Sequence, residues 1–592
     1  MRTQRAALER LLLLAVLGLG LALVLSRPPS LTPVHARGLA EDRQTGLAGR
    51  ITDPQGEPVA DADIELFINK LPDNKGADDH AAHPMTTSQP NGVFLLDLPP
   101  EEMGTIKSLT LKISRPHFKS IQWQASPDEI DSLNQGRALR LPDLELPRHV
   151  TAGFWVATLT FVGILAIIAL EERLPEWLQL HNTLAALLGV AIILGTTFVG
   201  GAINPDLFIF DFERALEYVN FDVIFLVMGM MIVVAVIEET GIFQWLAYQS
   251  YRLSGGRAWL LVTILMLITS VASALLDNVT TMLLMTPMTI QISIALGVNP
   301  LSLLIPEVLA SNIGGISTLI GTPTNILIGS YAGLSFNDFL TKLTPGVLLA
   351  QAALTVYVLV RYRAQFLVQG AGLSEALLNR LRESGRITRP DELRKSGLIF
   401  IIMLFFFITG ESIHLVPAVT ALVGAVAILL WVAPDVENML KVVDWTTLMF
   451  FISLFIVVGA IQEVGLISMI ADSISQLVGD NLNLAVLVLV WSAAILSGII
   501  ANIPFTAAML PVVAYLTRTI PGASNQVLFY GLSIGAAMGG NSSLIGASAN
   551  LVTAGIAERA GYRITYAEFF KAGIPAMFIT VAVGTLWLFI RF

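Results

Sequence analysis

The sequence predicts an all-α polytopic membrane protein with two inverted repeats, each carrying a re-entrant hairpin and a broken helix, plus a small extracytoplasmic β-sandwich. Three observations predict it. Of 592 residues, 54% are hydrophobic and only 14% charged, where an average soluble domain carries about 25% charged residues; at a mean hydropathy of +0.70 so long a chain cannot hide its apolar side chains in one water-soluble globule. Polar, strand-like sequence is confined to residues 41–148. The apolar remainder matches itself when displaced by 224 residues. The same composition excludes disordered and collagenous chains, and a net charge of −10 disfavours nucleic-acid binding. With no cysteine there is no disulfide framework, thiol nucleophile or cysteine-ligated zinc site.

Residues 1–40 open with Arg2, Arg5 and Arg10 before an apolar run from Leu11 to Leu25. A positive flank and a short apolar core read as a signal anchor, the favoured reading, or as a signal peptide cleaved near Val34-His35-Ala36. Residues 41–148 hold 18 acidic and 11 basic residues. Gly49-Arg50-Ile51-Thr52-Asp53-Pro54-Gln55-Gly56-Glu57-Pro58-Val59 reads as strand, tight turn, strand, and Asn91-Gly92 leads a turn into Val93-Phe94-Leu95-Leu96. This stretch resembles the carboxypeptidase regulatory-like domain, whose repeats read G-x-V-x-D-x-x-G-x-P-V and later N/D-G-x-F. That resemblance implies a structural or adhesive β-sandwich with an unknown ligand.

From His149 onward the chain is membrane: transporter repeat 1 over 149–360, a linker over 361–396 and repeat 2 over 397–592. A span needs about 20 apolar residues, and single spans fall near 151–170, 180–202, 222–238, 341–360, 397–410, 416–433, 445–462 and 572–591. The runs 301–331 and 527–556 are broken by Gly, Pro, Ser and Asn; the runs 258–297 and 483–517 carry polar tips near their middles. Arg361, Arg363, Arg380, Arg382, Arg386, Arg389, Arg394 and Lys395 make the linker cytoplasmic. The count of crossings then closes only if 258–297 is a hairpin entered from the cytoplasm and 483–517 one entered from outside. The expected location is the plasma membrane, with a cytoplasmic amino terminus and residues 41–148 outside.

Displacement by 224 brings Phe221 onto Trp445, Glu239 onto Glu463, Gly241 onto Gly465, Ser273 onto Ser497, Asn278 onto Asn502 and Pro287 onto Pro511. After one insertion, at 225, Gly314-Gly315-Ile316-Ser317-Thr318-Leu319-Ile320-Gly321 meets Gly539-Gly540-Asn541-Ser542-Ser543-Leu544-Ile545-Gly546, and Asn325 meets Asn550. Inverted repeats with interrupted apolar segments at matching places are the sequence mark of secondary transporters, because one packing and its inverse open a midplane site to either side. Unwound backbone is tolerated there where it lines a cavity.

Candidate ligands follow from those interruptions. Asp277, Asn278, Gly321 and Asn325 are expected to form one cation or coupling site, and Asn502, Gly546 and Asn550 its mate. Freed carbonyls and amide oxygens suit a cation, and half-helix amino termini suit an anion. Thr281, Thr322, Thr506 and Ser548 are candidate substrate contacts. An intramembrane carboxylate costs about 2.5–3.5 kcal/mol on insertion scales, so Asp277 is either a pathway residue or a turn-fixing hydrogen-bond acceptor. Glu307 is a possible proton-coupling group or a solvated one. Glu239 and Glu463 read as interfacial caps, Asn312 as a helix–helix hydrogen bond, His414 as a loop residue, and Phe405-Phe406-Phe407 as packing.

At these motifs the chain resembles the ion transporter superfamily of citrate-transporter-like permeases, which includes the ArsB arsenite permeases, NhaD-type sodium/proton antiporters, divalent anion–sodium symporters and the melanosomal P protein, and the likeness is strongest to the ArsB and P-protein branch. The likeness rests on Ala274-Leu275-Leu276-Asp277-Asn278-Val279-Thr280-Thr281, on Ser311-Asn312-Ile313-Gly314-Gly315, on Ala501-Asn502-Ile503-Pro504-Phe505-Thr506-Ala507 and on Gly539 to Asn550. It implies paired hairpins and broken helices, often in a homodimer. In the dicarboxylate symporters each tip reads Ser-Asn-Thr and binds sodium and carboxylate; here Asp277-Asn278-Val279 and Ala501-Asn502-Ile503 keep the asparagines and lose the flanking hydroxyls. The expectation is a secondary-active permease of a small ion, an anion ahead of others, coupled to Na+ or H+, with no other cofactor or metal. Its alternatives are a sodium/proton antiporter and a passive anion channel. A receptor leaves the broken helices unexplained, and an enzyme lacks a dyad around Asp277.

Overall fold

The computed structural model describes residues 46–54, 56, 58–70, 82–97, 106–170, 180–366, 382–383 and 385–592. The amino-terminal signal segment, with its anchor or peptide reading, lies outside the described residues.

The polar stretch folds as two small sheets. In the first, β1 (Leu47–Thr52) lies between antiparallel β4 (Val93–Leu96) and the short parallel strands β7 (Leu139–Arg140) and β8 (Leu144–Glu145). The second runs β3 (Ala82–Thr87), β2 (Asp63–Lys70), β5 (Ile106–Ser114), β6 (Ile121–Gln124). Alternation decides which side chains are enclosed: Ile64 and Leu66 on β2, with Leu109, Leu111 and Ile113 on β5, sit in one cluster with Ile51 and Phe94 from the first sheet.

Helices account for the rest, and nine of those described are long and apolar enough to cross a membrane. They begin with α1 (Ala152–Leu170) and α2 (Asn182–Gly195), followed by α3 (Phe221–Glu238), α4 (Ile242–Ser254), α5 (Ala258–Leu275), α6 (Asn278–Leu296), α7 (Leu301–Gly314), α8 (Pro323–Ala332) and α9 (Thr344–Arg361). After the linker come α10 (Pro390–Thr409), α11 (Pro417–Val432), α12 (Trp445–Glu463), α13 (Leu466–Val478), α14 (Leu482–Ser497), α15 (Asn502–Thr519), α16 (Val527–Gly539), α17 (Ser548–Arg559) and α18 (Tyr566–Arg591).

The sequence repeat recurs in local structure. Asn220 caps α3 by accepting from the Val223 amide, and Asp444 caps α12 by accepting from Thr447. Both helices end before a left-handed glycine, Gly241 at φ 80° and Gly465 at φ 91°, a backbone that a β-carbon would strain. Packing recurs as well. α5 packs on α7 as α14 does on α16; α3 on α11 as α12 on α2; and α6 on α17 as α15 on α8. The last two packings cross between the halves, so each half completes the other.

Hydrogen bonds fix the direction of the runs with polar tips. Thr269 Oγ1 donates to Glu307 Oε1 at 3.0 Å and Ser273 Oγ to the Ser311 carbonyl at 2.8 Å. Both partners advance by four residues, which makes α5 and α7 parallel neighbours and α6 the return leg between them. The run 258–297 is therefore a helical hairpin whose tip, Leu276-Asp277, stands level with the end of α7.

Candidate functional site

Each half interrupts its backbone twice, at a hairpin tip and after a short 3-10 turn, and the two interruptions are tied together. In the first half Thr318 Oγ1 donates to the Ala274 carbonyl beside the tip; in the second Ser543 Oγ donates to the Gly498 carbonyl at 2.6 Å. Unwinding frees carbonyls that must find donors. Asn325 Nδ2 serves the Gly315, Ile316 and Thr318 carbonyls at 3.2, 3.1 and 2.8 Å. Asn550 Nδ2 serves those of Gly540 and Ser543 at 2.9 and 2.8 Å. Gly321 and Gly546 are required by space: a β-carbon on Gly546 would stand 2.6 Å from the Gly540 carbonyl oxygen, and one on Gly321 would strike that of Gly315.

The tips differ. Asp277 is half-buried and caps α6, its Oδ1 accepting from the Val279 and Thr280 amides at 2.8 and 2.9 Å and its Oδ2 from Thr280 Oγ1 at 2.5 Å. Its counterpart Ala501 offers no side-chain cap, and the Asn502 amide donates instead to the Gly546 carbonyl at 3.3 Å. Thr281 Oγ1 donates to the Asp277 carbonyl at 2.8 Å, Thr322 and Thr324 share a hydrogen bond of 3.2 Å, and the buried Thr506 hydroxyl lacks a partner. Ser548 is exposed at the start of α17.

An asparagine network joins the halves. Asn278 Nδ2 donates to Asn312 Oδ1 at 2.8 Å, and Asn312 Nδ2 donates onward to Asn541 Oδ1 at 2.8 Å and Asn550 Oδ1 at 2.9 Å. Asn541 Nδ2 reaches the Leu309 carbonyl at 3.2 Å, and Ser533 Oγ donates to Asn325 Oδ1 at 2.6 Å. All of these side chains are buried. The structure thus joins the first tip to the second break through Asn312, and ties Asn325 to α16 in the opposite half. Asn312 was expected to be a helix–helix hydrogen bond and is the hub of one; Asn541 and Ser533 were not singled out. Their signal lay in the repeat, since Asn312, Ser533 and Asn541 stand opposite the apolar Ala537, Val308 and Ile316.

A second set of polar contacts seats the sheet unit on the helices. Arg115 Nη2 pairs with Glu463 Oε1 at 2.6 Å, and the Tyr218 hydroxyl donates to the other carboxylate oxygen. His117 Nε2 meets the Ile209 carbonyl at 2.8 Å and Nδ1 the Thr151 hydroxyl at 3.2 Å. Burial pulls the His117 imidazole below its ordinary value, against the opposing pull of its bond to Ile209. A cleft at this junction is lined by Arg115, Arg148, Arg214 and Arg518 but also by Asp53 and Glu463. Arg214 is further held by Asp61 and Glu217, so charge there is compensated and the contacts serve docking.

Broken helices in crossed pairs, closed by a buried asparagine network, define a membrane transporter, and residues 164–531 match the citrate transporter family, to which the chain belongs. It is 35% identical over 438 residues to an uncharacterized transporter of Mycobacterium tuberculosis, covering 74% of this chain and 98% of that one. It is 34% identical over 566 residues to the human P protein, covering 82% of this chain and 65% of the relative. The YdaH transporter of Alcanivorax borkumensis superposes with a TM-score of 0.49 at 13% identity, covering 69% of this chain and 97% of that one.

Proposed function

We propose that this chain is a secondary-active permease that carries a small anion by alternating access, coupled to sodium or protons. The observation that carries the reading is the link from the first tip to the second break, Asn278–Asn312–Asn550. That chain of buried amides brings the first tip and the second break together, which is what a single site shared by both halves requires. The two halves are inverted relative to one another, with the first hairpin entered from the cytoplasm and the second from outside. Asp277, Asn278, Gly321 and Asn325 line one half of the ion site and Asn502, Gly546 and Asn550 the other; Thr281, Thr322, Thr506 and Ser548 face the substrate. The paired sheets are an extracytoplasmic sandwich, and the protein works in the plasma membrane as a homodimer.

Anion over cation is supported by the family match and by helix amino termini at both breaks, where α8 and α17 begin. Uptake into proteoliposomes tests it, with labelled citrate, succinate, arsenite and chloride under sodium and proton gradients imposed separately. Accumulation of one of them against its own gradient is expected. Flux that only runs downhill would make the protein a passive channel. Sodium movement driven by a pH gradient, with no anion accumulated, would make it an antiporter.

A further inference from the structure

Glu307 is the one acidic residue on α7, and it is fully buried. Its Oε1 accepts from Thr269 on α5, while its Oε2 has no partner among the described residues. Thr289 of α6 lies beside the carboxyl, and its hydroxyl also lacks a partner. Neither α5 nor α6 contains an Asp, Glu, Lys, Arg or His within its bounds. Among the described residues, the other helices packed on α7 bring Tyr357 and Arg361 on α9, Tyr530 on α16, Glu558 and Arg559 on α17, and Tyr566, Glu568, Lys571 and Arg591 on α18; none of these makes an ion pair with Glu307. A buried carboxylate without a counter-charge is too costly to persist bare and is neutralised instead.

The second half shows that the fold does not need this cluster. Applying the repeat offsets, Thr269, Glu307 and Thr289 stand opposite Ala493, Leu532 and Val513. All six are fully buried. The same helix junction, with its neighbouring rung conserved as Ser273 on Ser311 and Ser497 on Ala536, closes in one copy around an apolar trio and in the other around a carboxyl and two hydroxyls.

We propose that Thr269, Glu307 and Thr289 form a proton-binding site that couples transport to the proton gradient, one per chain and distinct from the tips and breaks. It rests on the transport reading and names its coupling ion. A proton on Oε2 turns that oxygen into a donor with the Thr289 hydroxyl as acceptor, while Oε1 keeps the Thr269 bond. Glu307 lies four residues before Ser311 and five before Asn312, so loss or gain of the proton acts on the helix that carries the asparagine hub. Its release requires the α5–α7 junction to open.

Carbodiimide labelling tests the site without any substrate. Dicyclohexylcarbodiimide attacks carboxyls that are protonated in apolar surroundings. The full chain in lipid nanodiscs is expected to take up label at Glu307, found by mass spectrometry, decreasing as pH rises and vanishing in Glu307→Gln. A second variant, Thr269→Ala/Glu307→Leu/Thr289→Val, copies the apolar trio and is expected to fold. In proteoliposomes both variants should keep exchange of labelled for unlabelled anion and lose at least about tenfold in proton-driven accumulation. An unlabelled Glu307, or proton-driven accumulation at the wild-type level in either variant, overturns the proposal. Labelled Glu307 in a protein that accumulates no anion under any gradient would leave the proton site standing and refute the transport reading.

Discussion

Asp277 shows how one side chain can serve both structure and chemistry. Its oxygens are engaged by two amides and one hydroxyl of the turn that follows, as a helix cap requires, yet it is an acid at a tip whose counterpart is alanine. The two roles separate by substitution. Asp277→Ala should cost about 1 kcal/mol of stability through the lost cap, whereas Asp277→Asn retains an acceptor and should melt close to the wild type. If the carboxylate takes part in coupling, Asp277→Asn must still change the pH or sodium dependence of flux; unchanged flux in that variant would leave Asp277 as a cap. The sequence disclosed the asparagines at tips and breaks because they recur. Asn312 was legible as a helix–helix hydrogen bond, whereas Asn541 and Ser533 were not, because they stand opposite the apolar Ile316 and Val308 and matter where the repeat fails.

Elements were legible to the extent that they were apolar. The two broken runs and the two polar tips fall where hydropathy was interrupted, since Gly, Pro and Asn cannot continue an apolar helix cheaply. Ends in water were not legible by that measure. The span read at 397–410 belongs to a helix beginning at Pro390, whose first turn holds Asp391 and Glu392. The span read at 572–591 begins at Tyr566 behind a capping box of Thr565 and Glu568. At the breaks, backbone packs on backbone, so volume decides. Gly546→Ala and Gly321→Ala should each cost about 1–3 kcal/mol by overpacking, read as a lower melting temperature in detergent. Gly163→Ala, inside α1 where a β-carbon meets nothing within 4 Å, is the control and should not lower the melting temperature.

The repeat governs the molecule's outer contacts too. Glu239 and Glu463 are repeat partners, and each is met by an arginine from outside the repeat. Arg389, at the end of the linker, reaches Glu239 at 2.5 Å, and Arg115 of the sheet unit reaches Glu463 at 2.6 Å. The first pair is half-exposed and contributes little; the second is enclosed, so Arg115→Ala should loosen the sheet unit measurably. The sequence named both glutamates as caps but could not name their partners, which lie 150 and 348 residues away. Docking should also respond to acid. His117 is held neutral below its ordinary value of about 6.5. Its contribution is therefore complete above that pH and is lost as pH falls toward the lower bound-state value. Protection factors across β5 and β6, with exchange corrected for the pH dependence of the free amide, should fall as pH drops below about 6.5 in the wild type, and less steeply in His117→Asn.

Opposite orientation of the two halves is the premise of alternating access, and the absence of cysteine makes it directly measurable. Asn299 and Ser524 are repeat partners at offset 225, both exposed, in the connections that follow α6 and α15. Single variants Asn299→Cys and Ser524→Cys, in sealed vesicles of known sidedness, can be challenged with a membrane-impermeant maleimide. Modification of Asn299→Cys only from the cytoplasmic face and of Ser524→Cys only from the outer face is the predicted result. Reaction of both from the same face would contradict inversion, and the shared ion site with it.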